Sequence, residues 1–369
     1  MEKNINIRHV LTRRCATLGI PISGIFELTP RCNLRCQMCY VRMTPEQMAP
    51  LGRERTAREW LQIGKHAADA GLTFLLITGG EPTLRADFPE IYEGLVRMGI
   101  SISINTNGTH LTPEIRELWH RLPPAQVNVT LYGICRKDYG NLCGNPDAFD
   151  AVVEGLRWLK SEGILVHLNT NMAPANQHQW EQLEKFARNW ELELRMTAYC
   201  FPPVRRDSCT NCVDFSRLPP ETAAQLTVND ILFREGIDAI RLRAAHWDTP
   251  IQSSCKLDIG EPVQCMAAKS QFWINWNGQM TPCGMLTQPV IQLAADGSDF
   301  SQRWEKLKQM TGDIRLCPDC IQCSEKSTCL NCAAVTFAET GRFDGRPDYM
   351  CRFNKAYRNL ITKLAEENT

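Results

Sequence analysis

The chain has 369 residues, 43% of them hydrophobic, and its 41 Lys+Arg balance 41 Asp+Glu. That length suits one large domain plus a smaller one, and a formal net charge of zero offers no nucleic-acid-sized basic surface and no match for a polyacidic partner. No apolar run approaches the ~20 residues that span a bilayer, and the first residues, Met1-Glu2-Lys3-Asn4-Ile5-Asn6, contain no signal-peptide apolar core. No membrane or nucleic-acid partner is expected, and the expected compartment is cytoplasmic. Cysteine is the outlier, at 18 residues. In a reducing compartment, clustered thiols more often bind metal or do redox chemistry than form disulfides.

Residues 1–23 read as an N-terminal leader with Cys15 and Pro21, too short for a separate peptide-recognition domain. A short apolar run at 24–30 then leads into Cys32-Asn33-Leu34-Arg35-Cys36-Gln37-Met38-Cys39-Tyr40. Three thiolates this close can share one metal centre. A [4Fe–4S] cube is normally held by four cysteines, so a triad leaves one iron open to a small molecule. The alternatives are three buried core thiols or three ligands of a zinc site, although structural zinc takes four ligands and its cysteines come in C-x2–4-C pairs. Gaps of three and then two residues, closed by an aromatic, resemble the signature of the radical S-adenosylmethionine (radical SAM) enzymes. The resemblance implies that the open iron chelates the amino and carboxylate groups of SAM. It also implies that an electron from the cluster cleaves a carbon–sulfur bond and releases a 5′-deoxyadenosyl radical.

Residues 24–197 alternate β-like runs, at 24–28, 73–78, 101–105, 126–131, 165–169 and 192–196, with helical stretches at 57–70, 88–98, 113–121, 148–161 and 177–190. In the first helical stretch Trp60, Leu61, Gly64, Ala67 and Ala68 recur at helical spacing, and Gly71 stops it. Repeated βα units predict an α/β fold with a parallel sheet. Six of them suit the partial (β/α)6 barrel that the resemblance implies, with ligands at the C-terminal edges of the strands. The motifs fall at those edges. Thr78-Gly79-Gly80-Glu81-Pro82 follows the second strand, and its two glycines permit close backbone approach. It resembles the GGEP motif of the family, which binds the SAM amino group. Asn105-Thr106-Asn107-Gly108 ends the third strand and Thr130-Leu131-Tyr132-Gly133 the fourth. Both resemble positions near the SAM ribose and methionine, so Asn105, Asn107 and Thr130 join Tyr40 as expected cofactor contacts. Each of them reads equally well as a turn residue capping a helix. Arg195, on the sixth strand, suits the SAM carboxylate or a structural acid. Sulfatase-maturating members of the family carry an Arg after the fourth strand that helps hold SAM; residues 138–144 have none, and the nearest is Arg136.

Residues 198–254 form an expected bridge. Pro202 and Pro203 exclude regular structure there, Cys209 and Cys212 have the spacing of a redox pair or of two metal ligands, and 219–234 reads as an amphipathic helix. Residues 255–369 hold nine cysteines. Cys265 and Cys283 flank an alternating run, 271–276, and Asn277-Gly278, a hairpin signal whose type I′ turn needs positive φ at both positions. Cys320, Cys323, Cys329 and Cys332 follow, and Cys351 comes after 18 more residues. The array resembles the SPASM domain of radical SAM enzymes, a small cysteine-rich α+β domain that houses auxiliary [4Fe–4S] clusters, except that its last gap is two residues rather than three. Carried over by position, Cys265, Cys283 and Cys332 hold one cluster, with Cys255 as fourth ligand. Cys320, Cys323, Cys329 and Cys351 hold the other, and Cys317 is spare. The same thiols suit a zinc-ribbon-like module.

The resemblance implies an oxidoreductase that matures a peptide or protein, oxidising a side chain or forming a thioether or carbon–carbon cross-link. Auxiliary clusters would accept electrons or bind substrate, and a donor such as flavodoxin or ferredoxin would supply the reducing electron. Sulfatase-maturating members carry an Asp directly after the cysteine matching Cys283; here Gly284 stands there, so formylglycine formation is not expected. A small-molecule substrate is one alternative. A redox-neutral peptide epimerase is another, with Cys135 or Cys143 as hydrogen donor, although either also reads as a packing residue. A non-catalytic iron–sulfur or zinc-binding protein is the alternative from another class.

Overall fold

A computed structural model describes residues 7–202, 217–247, 263, 265–326 and 328–367. Cys209, Cys212 and Cys255 lie outside the described residues. Helix α1 (Ile7–Leu18) precedes β1 (Ser23–Glu27), a short α2 (Pro45–Met48) and α3 (Ala57–Asp69). The βα alternation continues with β2 (Phe74–Thr78), α4 (Phe88–Arg97), β3 (Ser101–Thr106), α5 (Pro113–Arg121), β4 (Gln126–Thr130), α6 (Arg136–Cys143) and α7 (Ala148–Ser161). It closes with β5 (Val166–Asn171), α8 (Trp180–Asn189) and β6 (Glu193–Thr197). All six strands expected from the alternation are present, parallel and in sequential order.

The helices form where caps and periodicity coincide. Thr56 and Glu59 exchange the two bonds of a capping box ahead of α3, and Thr112 caps α5 with Pro113 in its first turn. Gly71, at φ +116°, ends α3 in a conformation that side chains disfavour. Residues 177–179, expected within a helix, form a 3-10 turn before α8.

Strand side chains alternate between faces, and here the two faces differ in chemistry. Ile77, Ile104, Val129, Leu168 and Leu194 are buried in one core with Trp60, Ile91, Trp119, Leu156 and Leu183 of the helices. Each such side chain contributes about 1.5–3 kcal/mol through burial. The intervening residues face the helix-free side and are mostly polar. Register aligns Glu27 with Thr78, and Asn105 with Asn128, His167 and Glu193. Thr130, Asn169 and Arg195 form the next row toward the C-terminal edge. A half-open barrel with a polar inner wall follows from that alternation.

Beyond β6 come α9 (Pro220–Glu235), as expected, and α10 (Ile237–Ala245). A hairpin of β7 (Gln271–Ile274) and β8 (Gln279–Thr281) leads to β9 (Ile291–Gln292), α11 (Phe300–Gly312), α12 (Pro318–Ile321), α13 (Ala333–Thr340) and α14 (Asp348–Glu367). Strand β7 pairs in parallel with β1, Ser23 opposite Gln271 and Phe26 opposite Ile274, so the sheet runs β6-β5-β4-β3-β2-β1-β7-β8-β9. Hydrogen bonding thus continues across the boundary expected at 255.

The hairpin turn differs from the expectation. Only Gly278, at φ +83°, is left-handed; Asn277 is not. Gly278 N–H donates to Asn275 O at 2.8 Å, the pattern of an ordinary turn followed by a left-handed glycine. Asn277 is fixed by tertiary contact instead, its amide donating to Leu51 O at 3.0 Å.

Candidate active site

The segment leaving β1 is built against the loop after β2. Gly80 N–H donates to Thr29 O at 2.7 Å, and Glu81 N–H to Arg31 O at 2.8 Å. A Cβ on Gly79 would lie 2.5 Å from Thr29 O, and one on Gly80 2.4 Å from Arg31 O. The two glycines are therefore needed for backbone packing directly upstream of Cys32. Pro82, buried, opens a single 3-10 turn that Glu81 caps. The Glu81 carboxylate is fully buried and accepts four bonds: from Thr83 N–H at 3.2 Å, Thr83 Oγ1 at 2.7 Å, Thr106 Oγ1 at 2.8 Å and Asn107 N–H at 2.6 Å. Burial pushes its pKa up, against those hydrogen bonds. Glu81 thus ties the ends of β2 and β3 together.

Cys32, Cys36 and Cys39 are half-buried, and N–H donors point at the sulfurs of Cys32 and Cys39. Cys32 Sγ accepts from Leu34 N–H at 3.4 Å and from the Asn107 amide at 3.6 Å; Cys39 Sγ accepts from Arg42 N–H at 3.2 Å. Cys36 packs with Tyr132 against a small apolar cluster of Met38, Leu142, Ala173 and Cys200. Burial pushes the Cys32 thiol up to about 12, and contact with Cys143 together with burial holds Cys36 well above the usual thiol range. Thiolates form in such a place only with a cation among them, and sulfurs that receive N–H donors are what an iron–sulfur cluster uses. The residues fit the group. Among the described residues no three His, Cys, Asp or Glu side chains converge closely enough for a single metal ion, whereas a cube takes its cysteines at separate iron corners.

Helix α6, which lies outside the expected helical stretches, clamps the middle of the triad loop. Arg35 N–H donates to Cys143 O at 2.8 Å, Gln37 N–H to Leu142 O at 3.1 Å and Gln37 Nε2 to Asn141 O at 2.9 Å. Asp138 starts this helix by accepting from Ile134 and Cys135 N–H, and Gly144, at φ +70°, ends it. Cys143 is fully buried, with its thiol donating to Tyr139 O at 3.1 Å, while Cys135 is exposed at the start of the helix.

The remaining expected contacts are placed as follows. Tyr40 is half-buried next to Cys39. Asn105 accepts from Asn128 Nδ2 at 2.8 Å on the polar wall, which Thr130 also joins. Arg195 is half-exposed and donates to Glu193 at 3.1 Å, with His167 Nε2 3.6 Å from the same carboxylate. Asn128, His167, Asn169 and Glu193 were not singled out by sequence; their alternation with buried apolar residues was the available signal.

The downstream thiols form two groups. Cys283 has Cys332 and Cys265 beside it, and burial lifts it to about 12. Cys320 touches Cys317 and lies near Cys329 and Cys351, while Cys329 lies near Cys351 and Cys323. Cys317 stands with the second group, and Cys255, expected beside the first, lies outside the described residues. A Cβ at Gly284 would lie 2.5 Å from the Trp273 ring, so an aromatic fills the space next to Cys283.

Residues 26–188 match the Radical SAM superfamily. Over these residues the chain carries a radical SAM domain. An AdoMet-dependent heme synthase from Methanosarcina barkeri is 27% identical over 340 residues, covering 86% of this chain and 93% of that one. A probable GTP 3′,8-cyclase from Saccharolobus islandicus is 34% identical over 173 residues (46% and 53%), and a PqqA peptide cyclase from Bradyrhizobium diazoefficiens 25% identical over 218 residues (54% and 56%). The chain spans about half the length of the last two. Among solved structures, Streptococcus suis SuiB bound to precursor peptide SuiA matches with a TM-score of 0.67 at 17% identity, covering 95% of this chain and 82% of that one. Native anSMEcpe with bound AdoMet matches at 0.69 and 14% identity, covering 94% and 100%. At these identities the likeness is one of fold: a radical SAM barrel with a SPASM-like C-terminal region. No helix among the described residues is long and apolar enough to cross a membrane.

Proposed function

We propose that this radical SAM enzyme modifies a side chain of a peptide or protein, by oxidation or cross-linking, in the cytoplasm and with flavodoxin or ferredoxin as electron donor. Bound at Cys32, Cys36 and Cys39, a [4Fe–4S] cluster with SAM supplies the reducing electron and the hydrogen-abstracting group, and clusters at the two downstream thiol groups supply an acceptor for the electron that a net oxidation releases. Leu34 and Arg42 N–H and the Asn107 amide hold two of the triad sulfurs. Glu81 fixes the turn beside them.

The observation that carries the substrate class is the inner wall. Asn105, Asn128, Asn169 and Asn171 lie in its rows. A carboxamide both donates and accepts, as peptide groups do. Among the described wall residues of β1–β6, Arg195 is the single Lys or Arg, and it is paired with Glu193. A polycarboxylate tetrapyrrole or a nucleoside triphosphate calls for several cations. SuiB and anSMEcpe have also been solved with peptides bound.

One observation favours a second reading, a small-molecule substrate: the heme synthase matches over nearly its whole length. The test incubates reduced, anaerobically reconstituted protein and SAM with peptides encoded beside the gene and, separately, with an iron coproporphyrin. Loss of two hydrogens from a peptide supports the first reading, deuterium uptake without that loss marks an epimerase, and turnover of the porphyrin alone supports the second.

A further inference from the structure

The triad loop and α6 together make one exposed ridge. Arg35 and Gln37 flank Cys36 and are exposed, and their N–H groups bond to Cys143 O and Leu142 O. On α6, Lys137, Asn141 and the closing Gly144 are spaced four and three apart, so they share a face. All three are exposed, while Asp138, Tyr139, Leu142 and Cys143 are buried. The two halves touch: Gln37 Nε2 donates to Asn141 O at 2.9 Å, and a Cβ at Gly144 would lie 3.7 Å from Arg35 Cβ. The ridge carries two cations, two amides and no acid. Nearby Arg136 is neutralised by Asp147 and Asp150, and Arg31 by Glu54. Neither Arg35 nor Lys137 meets an acid among the described residues. In a chain of zero net charge, the surface flanking Cys36 is locally positive.

We propose that this ridge docks an acidic one-electron carrier protein, which delivers its electron to the triad site past Cys36. The proposal rests on the function proposed above, which calls for such a donor. The carrier loses one electron and the triad site gains it; no bond forms or breaks. Electron transfer weakens steeply with distance, and a carrier seated on Arg35 and Gln37 lies against the residues that border the site. Opposite charges speed the encounter of two proteins and fix their orientation. A ridge of a few residues suits the small, transient interfaces of electron-transfer partners. A second basic stretch, α1 with Arg8, Arg13 and Arg14, leads into the N-terminal end of β1, whereas the triad lies beyond its C-terminal end.

The experiment mixes full-length, anaerobically reconstituted protein with flavodoxin hydroquinone or with reduced methyl viologen, a small cation. Freeze-quenched samples follow the rise of the electron paramagnetic resonance signal that changes shape with SAM, which separates the triad from the downstream thiol groups. The double variant Arg35→Glu with Lys137→Glu is expected to be reduced about tenfold more slowly by flavodoxin at low salt. The difference is expected to close toward 1 M salt, where the screening length is ~3 Å. Reduction by methyl viologen is expected to be no slower than in the unaltered protein. Flavodoxin rates that match those of the unaltered protein overturn the proposal. So does equal slowing with both reductants, which places the effect of the charges on the site and not on the carrier. If the double variant fails to hold iron, Lys137→Glu, outside the triad loop, decides alone, with about a threefold loss expected. A signal in the unaltered protein that ignores SAM overturns the radical SAM reading itself, whatever the carrier's rate, which separates the two failures.

Discussion

Gly80 has no room for a side chain: the Arg31 carbonyl lies 2.4 Å from where a Cβ would be. Gly80→Ala is expected to cost about 1–3 kcal/mol, the usual price of overpacking, and to lower iron bound per chain; melting curves and iron assays check both. Glu81→Gln sets an amide donor against four donors that now meet a carboxylate. A loss of about 1–3 kcal/mol is expected, as for a buried polar group left unsatisfied, and denaturant unfolding measures it. Both residues were legible as a motif, since their spacing is local. The bond from Asn107 to Cys32, 75 positions apart, was not. No spacing rule connects such distant residues, and only the folded sheet edge brings them together.

The strands were legible as elements because their alternation is sharp, apolar toward the helices and polar toward the inner wall. Helix α6 was not, because it is short and carries Gly140 and the β-turn formers Asn141 and Asp138. The contact of α8 with α9 carries a prediction of its own. Glu184 and Asp230 are buried against each other, with Arg188 on α8 and Arg234 and Glu235 on α9 around them; Arg234 pairs with Asp230 at 3.0 Å. Burial, then the Asp230 charge, raises the Glu184 pKa to about 7. An unfolded Glu titrates near 4.3, so the folded state holds the extra proton. The contribution is fully present below the unfolded value and is lost as pH rises through about 7. Glu184→Gln is expected to flatten the fall in denaturation midpoint between about pH 5 and 8. An unchanged slope would show that the pair does not share a proton.

At the scale of the molecule, the order of β1–β6 followed from the βα repeat, but the docking of β7 on β1 did not. A run such as 271–274 announces a strand without naming its partner. That junction joins barrel and cysteine-rich region through Phe272, whose ring lies 6.4 Å from Phe26, 5.1 Å from Phe300 and 6.2 Å from Trp304 between centroids. A chain ending at residue 247 would leave the β1 edge unpaired and Phe26 uncovered. It is expected to aggregate, since open edges template pairing with other chains; a monodisperse peak on sedimentation would show that the barrel stands alone. The most direct test of the whole account is the fate of SAM with reduced, anaerobically reconstituted protein. The account predicts 5′-deoxyadenosine and methionine, with both lost in Cys36→Ala; an intact cluster that leaves SAM uncleaved contradicts it.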